Sequence, residues 1–423
     1  MALLLLALVA LGLWMRLNAF GYPQSFQFDE HHFVENARNY LNHRADWNDH
    51  PPLGKLILAI SIRLGGDNSV VWRLPSLLFG LVTIVVGAFA AARLFRGRAA
   101  GLFAAAFLSA DGFMVAYSRA ALLDGFLATG AALALLLCSF ELSLVTAVAG
   151  GVLLGLAASI KFSGVAVALP LLAAWSVQQR WTRRRGVLAA CAIPVAALTV
   201  AGLYQYGLAV ANQPHSLIDV ANDIRRLVSH HAELTDMKNP ATSGWVTWAL
   251  PLRPLRLGTS EKAGVIRMLS SLGNLAIWWT AVLLALATLA SVASIGTRAM
   301  LAAPSGSGRA PAHGGRAASW WALEPFLLSR GRAVLVILAC VVGFLAPWVL
   351  THRDSYLYHF LPSYTALVIL LAGFVAWVQA RSARAALVFT VVVLLVAAYY
   401  APIWSYLPLT APALRARLFL PSW

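Results

Sequence analysis

The chain has 423 residues, of which 60% are apolar and only 11% charged, and its mean hydropathy is +0.74. Soluble domains carry roughly 25% charged residues, so an ordinary soluble globule is excluded. A formal charge of +16 would suit a nucleic-acid binder, but the arginines gather in short segments between apolar runs, where they set topology and meet anionic membrane lipids, so no nucleic acid is required as a partner. The apolar runs are continuous rather than alternating, which specifies an all-α polytopic membrane protein and not a barrel. Cys138, Cys191 and Cys340 all lie inside apolar runs, so they imply neither a disulfide framework nor a thiolate metal site.

Windows of about 20 residues place membrane spans at 2–18, 74–92, 99–117, 122–140, 144–160, 162–178, 187–207, 274–295, 333–351, 358–379 and 385–404, about eleven in all. The first run, Ala2–Met15, resembles a signal-peptide core but lacks a basic flank and a small-residue cleavage site, and is read as a span. With a cytoplasmic N-terminus, the cytoplasmic segments hold Arg93, Arg96, Arg98, Arg180, Arg183, Arg184, Arg185, Arg298, Arg309, Arg316, Arg330, Arg332, Arg381 and Arg384. Only Glu141 and Glu324 accompany these fourteen arginines, a skew that supports both the span count and the orientation.

Between the first two spans, residues 19–73 form an external loop, and Gln27–Lys55 within it holds five of the sixteen carboxylates: Asp29, Glu30, Glu35, Asp46 and Asp49. So many acids between membrane spans are costly unless they face water or do chemistry, which marks a catalytic loop. A second external loop, 208–273, contains the amphipathic stretch Leu217–Leu234 followed by Trp245 and Trp248, a composition suited to a helix lying in the interface. Residues 296–332 are rich in Gly, Ser, Pro and Ala and read as a flexible cytoplasmic linker. The whole is a single domain, 1–423. Gly151 and Gly155 would allow close helix packing.

Asp29 and Glu30 stand at the exit of the first span. Neighbours on a helix point about 100° apart, so one acid can act as a base while the other orients it or pairs with a cation. Helix N-terminal acids favoured by the macrodipole are the plainer alternative. In Asp49-His50-Pro51-Pro52-Leu53-Gly54-Lys55 the double proline ends one helix and starts the next, returning Asp49, His50 and Lys55 towards the start of the loop. Arg73, Arg119, Asp124, Lys161, Arg353, Asp354 and His359 fall on the same outer face. Cations converging with carboxylates there suit an anionic lipid-linked substrate, with snorkelling or topology-setting as the alternative for Arg119 and Lys161. Asp111 is expected mid-span, paired with a neighbouring helix. The His and Asp spacing matches no closed zinc pattern, so no metal or other cofactor is required, and the chain has no phosphate-binding loop for ATP.

These residues resemble a known family. Phe28-Asp29-Glu30 with Phe33, the Asp49–Lys55 corner, Arg73-Leu74-Pro75, Ser118-Arg119 with Leu122-Leu123-Asp124, Lys161, Arg253-Pro254, Leu272-Gly273-Asn274 and Tyr358-His359-Phe360-Leu361-Pro362 are similar to motifs of the protein O-mannosyltransferases, membrane glycosyltransferases of the GT-C type. The chain departs from the family at Asn239-Pro240, at Leu275 and at Trp248-Ala249, in the loop that would meet the acceptor, and it has no room for a β-trefoil insert in 208–273.

The resemblance implies a GT-C fold with about eleven spans and an external catalytic loop after the first. It implies inverting transfer of mannose from a polyprenyl-phosphate-linked donor to a Ser/Thr-containing polypeptide. Asp29 and Glu30 would be catalytic, and Arg73, Lys161, Arg353 and His359 would hold the donor. Asp49, His50, Lys55, Arg119 and Asp124 would frame the loop. A homo-oligomer is compatible with the sequence. The alternatives are a lipid-linked-sugar transferase acting on a lipid or glycan, as in aminoarabinose transfer, and a lipid-linked-sugar transporter.

Overall fold

The computed structural model describes residues 2–45, 49–178, 182–234, 241–295, 323–351 and 354–423. Asp46, Arg180, Arg298, Arg309, Arg316 and Arg353, the pair Asn239–Pro240 and the stretch 296–322 lie outside the described residues. The helices are α1 (Ala2–Leu17), α2 (Glu30–Leu41), α3 (Leu53–Gly65), α4 (Ser69–Leu94), α5 (Arg98–Ser109), α6 (Gly112–Tyr117), α7 (Asp124–Leu137), α8 (Leu144–Ile160), α9 (Ala168–Gln178), α10 (Arg183–Ala190), α11 (Ala192–Val210), α12 (Leu217–Glu233), α13 (Trp245–Trp248), α14 (Leu275–Ile295), α15 (Leu323–Leu350), α16 (Leu361–Gln379), α17 (Ala383–Trp404) and α18 (Ala411–Arg417). Single 3₁₀ turns, Phe162–Val167 and Leu357–Phe360, lead into α9 and α16.

The protein is an integral membrane protein. Among the described residues, six helical stretches are long and apolar enough to cross a membrane: Ser69–Leu94, Arg183–Val210, Leu275–Ala293, Leu323–Leu350, Leu357–Gln379 and Ala383–Trp404. Five shorter apolar helices accompany them: Leu3–Leu17, Arg98–Ser109, Asp124–Leu137, Leu144–Ile160 and Phe162–Val177. Each of the eleven stretches expected from hydropathy overlaps one of these helices, but five fall short of the roughly 20 residues a full crossing takes. The linker expected over 296–332 ends earlier than its composition suggests, because α15 begins at Leu323 and takes Arg330 and Arg332 into a helix.

Local chemistry explains the breaks. The stretch 99–117 is not one helix: α5 stops at Ser109, and the Asp111 carboxylate caps α6 by accepting from Met114 N at 3.1 Å. Asp111 therefore sits in a break, not mid-span. In α4, Pro75 has no N–H for the carbonyl of Val71, and Ser61 Oγ of α3 supplies the missing donor at 2.7 Å. Asn68 caps the same helix through Val70 N and Val71 N. Gly151 and Gly155 of α8 face α11 so closely that added β-carbons would lie 2.6 Å from Ala192 O and 2.5 Å from Thr199 Cβ.

The all-α expectation needs one amendment. Arg256–Lys262 and Val265–Ser270 form an antiparallel hairpin, β1–β2, closed by Ala263 and Gly264 with φ of 52° and 75°. Two left-handed residues match the type I′ turn that suits strand twist. The free side of β2 is bridged by Leu409, which exchanges two 2.8 Å hydrogen bonds with Ile266. The amphipathic segment expected over Leu217–Leu234 is α12, with Val220 and Leu227 buried and Leu217, Ile218 and Val228 exposed.

Four segments meet at Asp111. Its second oxygen accepts from Asn274 N at 2.9 Å and from the Tyr364 hydroxyl of α16 at 2.7 Å. Asn274 in turn donates to Ala110 O and to Val393 O of α17, each at 3.0 Å. Asp111→Ala is expected to lose about 2–4 kcal/mol, because three buried donors are left without an acceptor. Asp111→Asn, which keeps one oxygen, should lose less. Thermal unfolding in detergent tests this, and an unchanged midpoint for the alanine variant would remove the account.

Candidate active site

The loop that leaves α1 is held by cations on both sides. Arg119 closes the C-terminal end of α1, donating to the carbonyls of Met15, Arg16 and Asn18. Arg73, in the second turn of α4, sends Nε and Nη2 to the two oxygens of Glu30, both at 2.8 Å, with neither side chain exposed. It also donates to Pro23 O at 2.9 Å and Ser25 O at 3.1 Å. Glu30 accepts two more hydrogen bonds, from Gln27 N and Ala121 N at 2.8 Å each. Each carboxylate oxygen thus holds two donors, which fills its capacity. Glu30 has no lone pair left outside these bonds and Arg73 a single N–H, so this is the acid that pairs with a cation, the arrangement the sequence allowed for one member of the Asp29-Glu30 pair.

Asp29 differs at every point from its neighbour. It occupies the N-cap position of α2 without capping it, and among the described residues no hydrogen bond reaches its side chain. The residue is half-buried. Burial pushes the group up to about 6, against the pull of Lys161 and His31 and with the push of Asp124. The residue before it, Phe28, is in the left-handed region at φ 47°, a conformation costing on the order of 1–3 kcal/mol for a side chain of this size. Its ring is held edge-on by Tyr356 and Tyr358, at 6.3 and 6.0 Å.

Lys161 ends α8 in extended backbone and meets Asp124 at 3.0 and 3.1 Å, a two-oxygen pair with both side chains buried. Its ammonium also lies 5.0 Å above the ring of Tyr358. His359, in the 3₁₀ turn before α16, is buried and stacked 3.5 Å from Trp348. Its Nδ1 accepts from Tyr356 N at 3.1 Å, so in the neutral ring the proton sits on Nε2. Asp29, Lys161, Asp124, Tyr358 and His359 therefore converge, drawn from four parts of the chain.

The proline corner returns to the first turn of α2. Asp49 pairs with His230 at 3.1 Å, and His50 stacks between Phe33 and His231 of α12, at 5.8 and 5.2 Å. Lys55 is fully buried, 5.7 Å from the ring of Tyr40. These residues join α12 and α3 to α2. The histidine pair closing α12 and Tyr356 were not singled out from sequence; a doubled histidine ending an amphipathic helix was the available signal for the first.

Models of the family described as dolichyl-phosphate-mannose-protein mannosyltransferase match residues 6–72 and 49–204, and a model of the C-terminal four-helix region of protein O-mannosyltransferases matches 224–423. The chain belongs to the protein O-mannosyltransferase family. Among curated proteins of this family, the polyprenol-phosphate-mannose–protein mannosyltransferase of Mycobacterium tuberculosis is 29% identical, with 60% of this chain and 63% of that protein covered. The chain thus spans less than two thirds of that relative's length. The enzyme of the same name from Mycolicibacterium smegmatis is 33% identical over 24% of this chain and 21% of its own. Among solved structures, the Saccharomyces cerevisiae protein O-mannosyltransferase Pmt1–Pmt2 complex bound to the sugar donor superimposes with a TM-score of 0.81 at 13% identity, over 100% of this chain and 92% of that one. ArnT from Cupriavidus metallidurans bound to undecaprenyl phosphate gives 0.59 at 17% identity, over 92% and 62%. This mannosyltransferase-family chain therefore shares a fold with both.

In this family member, the two neighbouring acids are expected to respond oppositely to substitution. Arg73→Ala, which strands Glu30 as a buried charge, should cost about 3–5 kcal/mol. Asp29→Asn, which removes a half-buried charge lacking donors, should leave the unfolding midpoint unchanged or raise it. A midpoint that falls equally in both variants would contradict the division of roles.

Proposed function

We propose that the protein is an inverting glycosyltransferase that moves mannose from polyprenyl-phosphate-mannose to Ser or Thr hydroxyls of exported polypeptides. The named activity of the mycobacterial relatives and the matched mannosyltransferase family support the donor and the class of acceptor. The observation that carries the chemistry is the Asp29 carboxylate: half-buried, raised to about 6, engaged by no described donor, and beside the cation of Lys161.

In this reading all eleven apolar helices cross the membrane as one unit, 1–423, with irregular backbone at the breaks tolerated because it is buried in protein. The N-terminus is cytoplasmic, in keeping with the fourteen arginines on that side, and the loop 19–73 works on the opposite face. The donor enters from the bilayer, its polyprenyl chain remaining in lipid.

The step needs one base and no acid. Asp29 takes the proton of the acceptor hydroxyl as that oxygen bonds the anomeric carbon, and the carbon–oxygen bond to phosphate breaks on the opposite side. The leaving group is polyprenyl phosphate, already an anion. It needs positive charge, which Lys161 presents with Arg353 as a further cation, while the Nε2–H of His359 offers a neutral hydrogen-bond donor. A single displacement inverts the anomeric centre, in contrast to the covalent intermediate of a closely spaced nucleophile and acid. Glu30 and Arg73 keep Asp29 in place by fixing the backbone on both sides of it.

Transfer of radiolabelled mannose from polyprenyl-phosphate-mannose to a Ser/Thr-rich peptide tests this. Asp29→Asn should lower the rate about 10²–10⁴-fold while donor binding persists. In the wild type, the rate should rise with pH up to about 6 and then level off, since below that value Asp29 holds the proton it must be free to accept. An Asp29→Asn variant as active as wild type sinks the assignment of the base. Folded, donor-binding wild type that glycosylates no peptide sinks the protein acceptor.

A further inference from the structure

The two outer edges of the hairpin β1–β2 differ. That of β2 is occupied: Ile266 gives its N–H to Leu409 O and accepts from Leu409 N, each at 2.8 Å. In an antiparallel pair, residues that turn their main-chain groups outwards stand opposite each other. Ile266 is paired with Glu261, so the N–H and C=O of Glu261 point away from β2, and alternation gives those of Thr259 the same direction. Both residues are exposed. Among the described residues no strand pairs with this side of β1, and no hydrogen bond reaches the main chain of Thr259 or Glu261.

This open edge stands beside the loop that carries Asp29. The main chain of Gly258 lies so close to Gln27 that an added β-carbon would be 3.2 Å from the glutamine side chain. Gln27 N donates to Glu30 at 2.8 Å, and Asp29 lies two residues on, a chain distance of about 7 Å. Arg267 of β2 donates to Tyr406 O at 3.1 Å, and the Tyr406 ring meets Tyr22 edge-on at 5.4 Å, which ties the hairpin to the start of the same loop. A row of alternating N–H and C=O groups is complementary to another extended main chain, and such pairing gives affinity without regard to side chains. An acceptor defined by its Ser or Thr hydroxyl, with varied flanking residues, calls for recognition of that kind. The bulge between Arg256 and Gly258 and the charge of Lys262 keep the edge short, so it offers room for one segment and not for a growing sheet.

We propose that an extended segment of the acceptor polypeptide pairs with the outer edge of β1 through the main-chain groups of Thr259 and Glu261, and that this pairing delivers its hydroxyl to Asp29. This rests on the reading of the protein as a transferase acting on polypeptides. A strand advances about 3.3 Å per residue, so the accepting residue lies a few positions along from those held by β1.

The test uses the full chain in nanodiscs and follows mannose transfer from polyprenyl-phosphate-mannose to Ser/Thr-rich peptides, each with one N-methylated amide at successive positions around the accepting residue. Methylation should raise KM about tenfold at alternate positions and change it little at those between, since only every second amide faces β1. Thr259→Pro removes an outward N–H that no bond within the hairpin uses, so the variant should keep the wild-type thermal midpoint and donor binding while its peptide KM rises about tenfold. Equal KM across the methylated series overturns the inference, whether or not the variant folds, and leaves the proposed function standing. A folded variant with the wild-type KM overturns it as well. Wild-type dimers that dissociate in Thr259→Pro with no change in KM assign the edge to a second copy and overturn it too. Donor-binding wild type that mannosylates no peptide overturns the polypeptide acceptor and this inference with it.

Discussion

The ion pair between Glu30 and Arg73 is the constraint on which the external face depends. Two opposite charges removed from water recover their solvation only when every lone pair and N–H finds a partner. Here the carboxylate meets that condition with four donors, two from the guanidinium and two from the backbone of Gln27 and Ala121. Those backbone donors lie 3 and 91 residues away along the chain, and Arg73 adds the carbonyls of Pro23 and Ser25. One buried pair thus pins the start of the loop, the first helix after it, the fourth helix and the turn before the seventh. A misplaced partner in any of them would leave a charge or a donor unmet, which gives the loop a single arrangement.

That rigidity explains how adjacent acids of almost identical chemistry come to differ. Glu30 has the longer reach and turns inward, where it is saturated. Asp29, rotated by one residue, is carried to the rim, where burial raises its proton affinity without supplying donors. General bases work best when their proton affinity lies near the working pH. A carboxylate reaches that range only if the protein withholds the hydrogen bonds that would stabilise its charge. The positioning of Glu30 and the availability of Asp29 are two outcomes of one helix turn.

Much of this was legible in the residues and some was not. Hydropathy located every apolar helix, because a 20-residue run of Leu, Ala and Val has few alternatives in lipid. It overran the break at Asp111, where one polar residue ends a helix without changing the mean of a window. The argument that neighbouring acids must face different directions separated Asp29 from Glu30 in principle. It could not say that Arg73 belongs to Glu30, since a pairing across 43 residues leaves no local trace. Cations and acids of the right kind were found on the right loops; which of them touch was settled by packing. The hairpin at 256–270 was missed because its exposed strand, Arg256–Lys262, is polar and irregular and lacks the alternation that marks a half-buried strand.

Phe28 ties these threads together. A phenylalanine in left-handed backbone is a poor local choice; glycine or asparagine would sit there more easily. What holds it is its ring, wedged against two tyrosines from a segment more than 300 residues further on, next to His359. The backbone of Asp29 is therefore under tension, with its anchor on the segment that leads into α16. The peptide that carries Asp29 is thus clamped from two directions, by the Glu30–Arg73 pair on one side and by a ring lodged against a distant segment on the other.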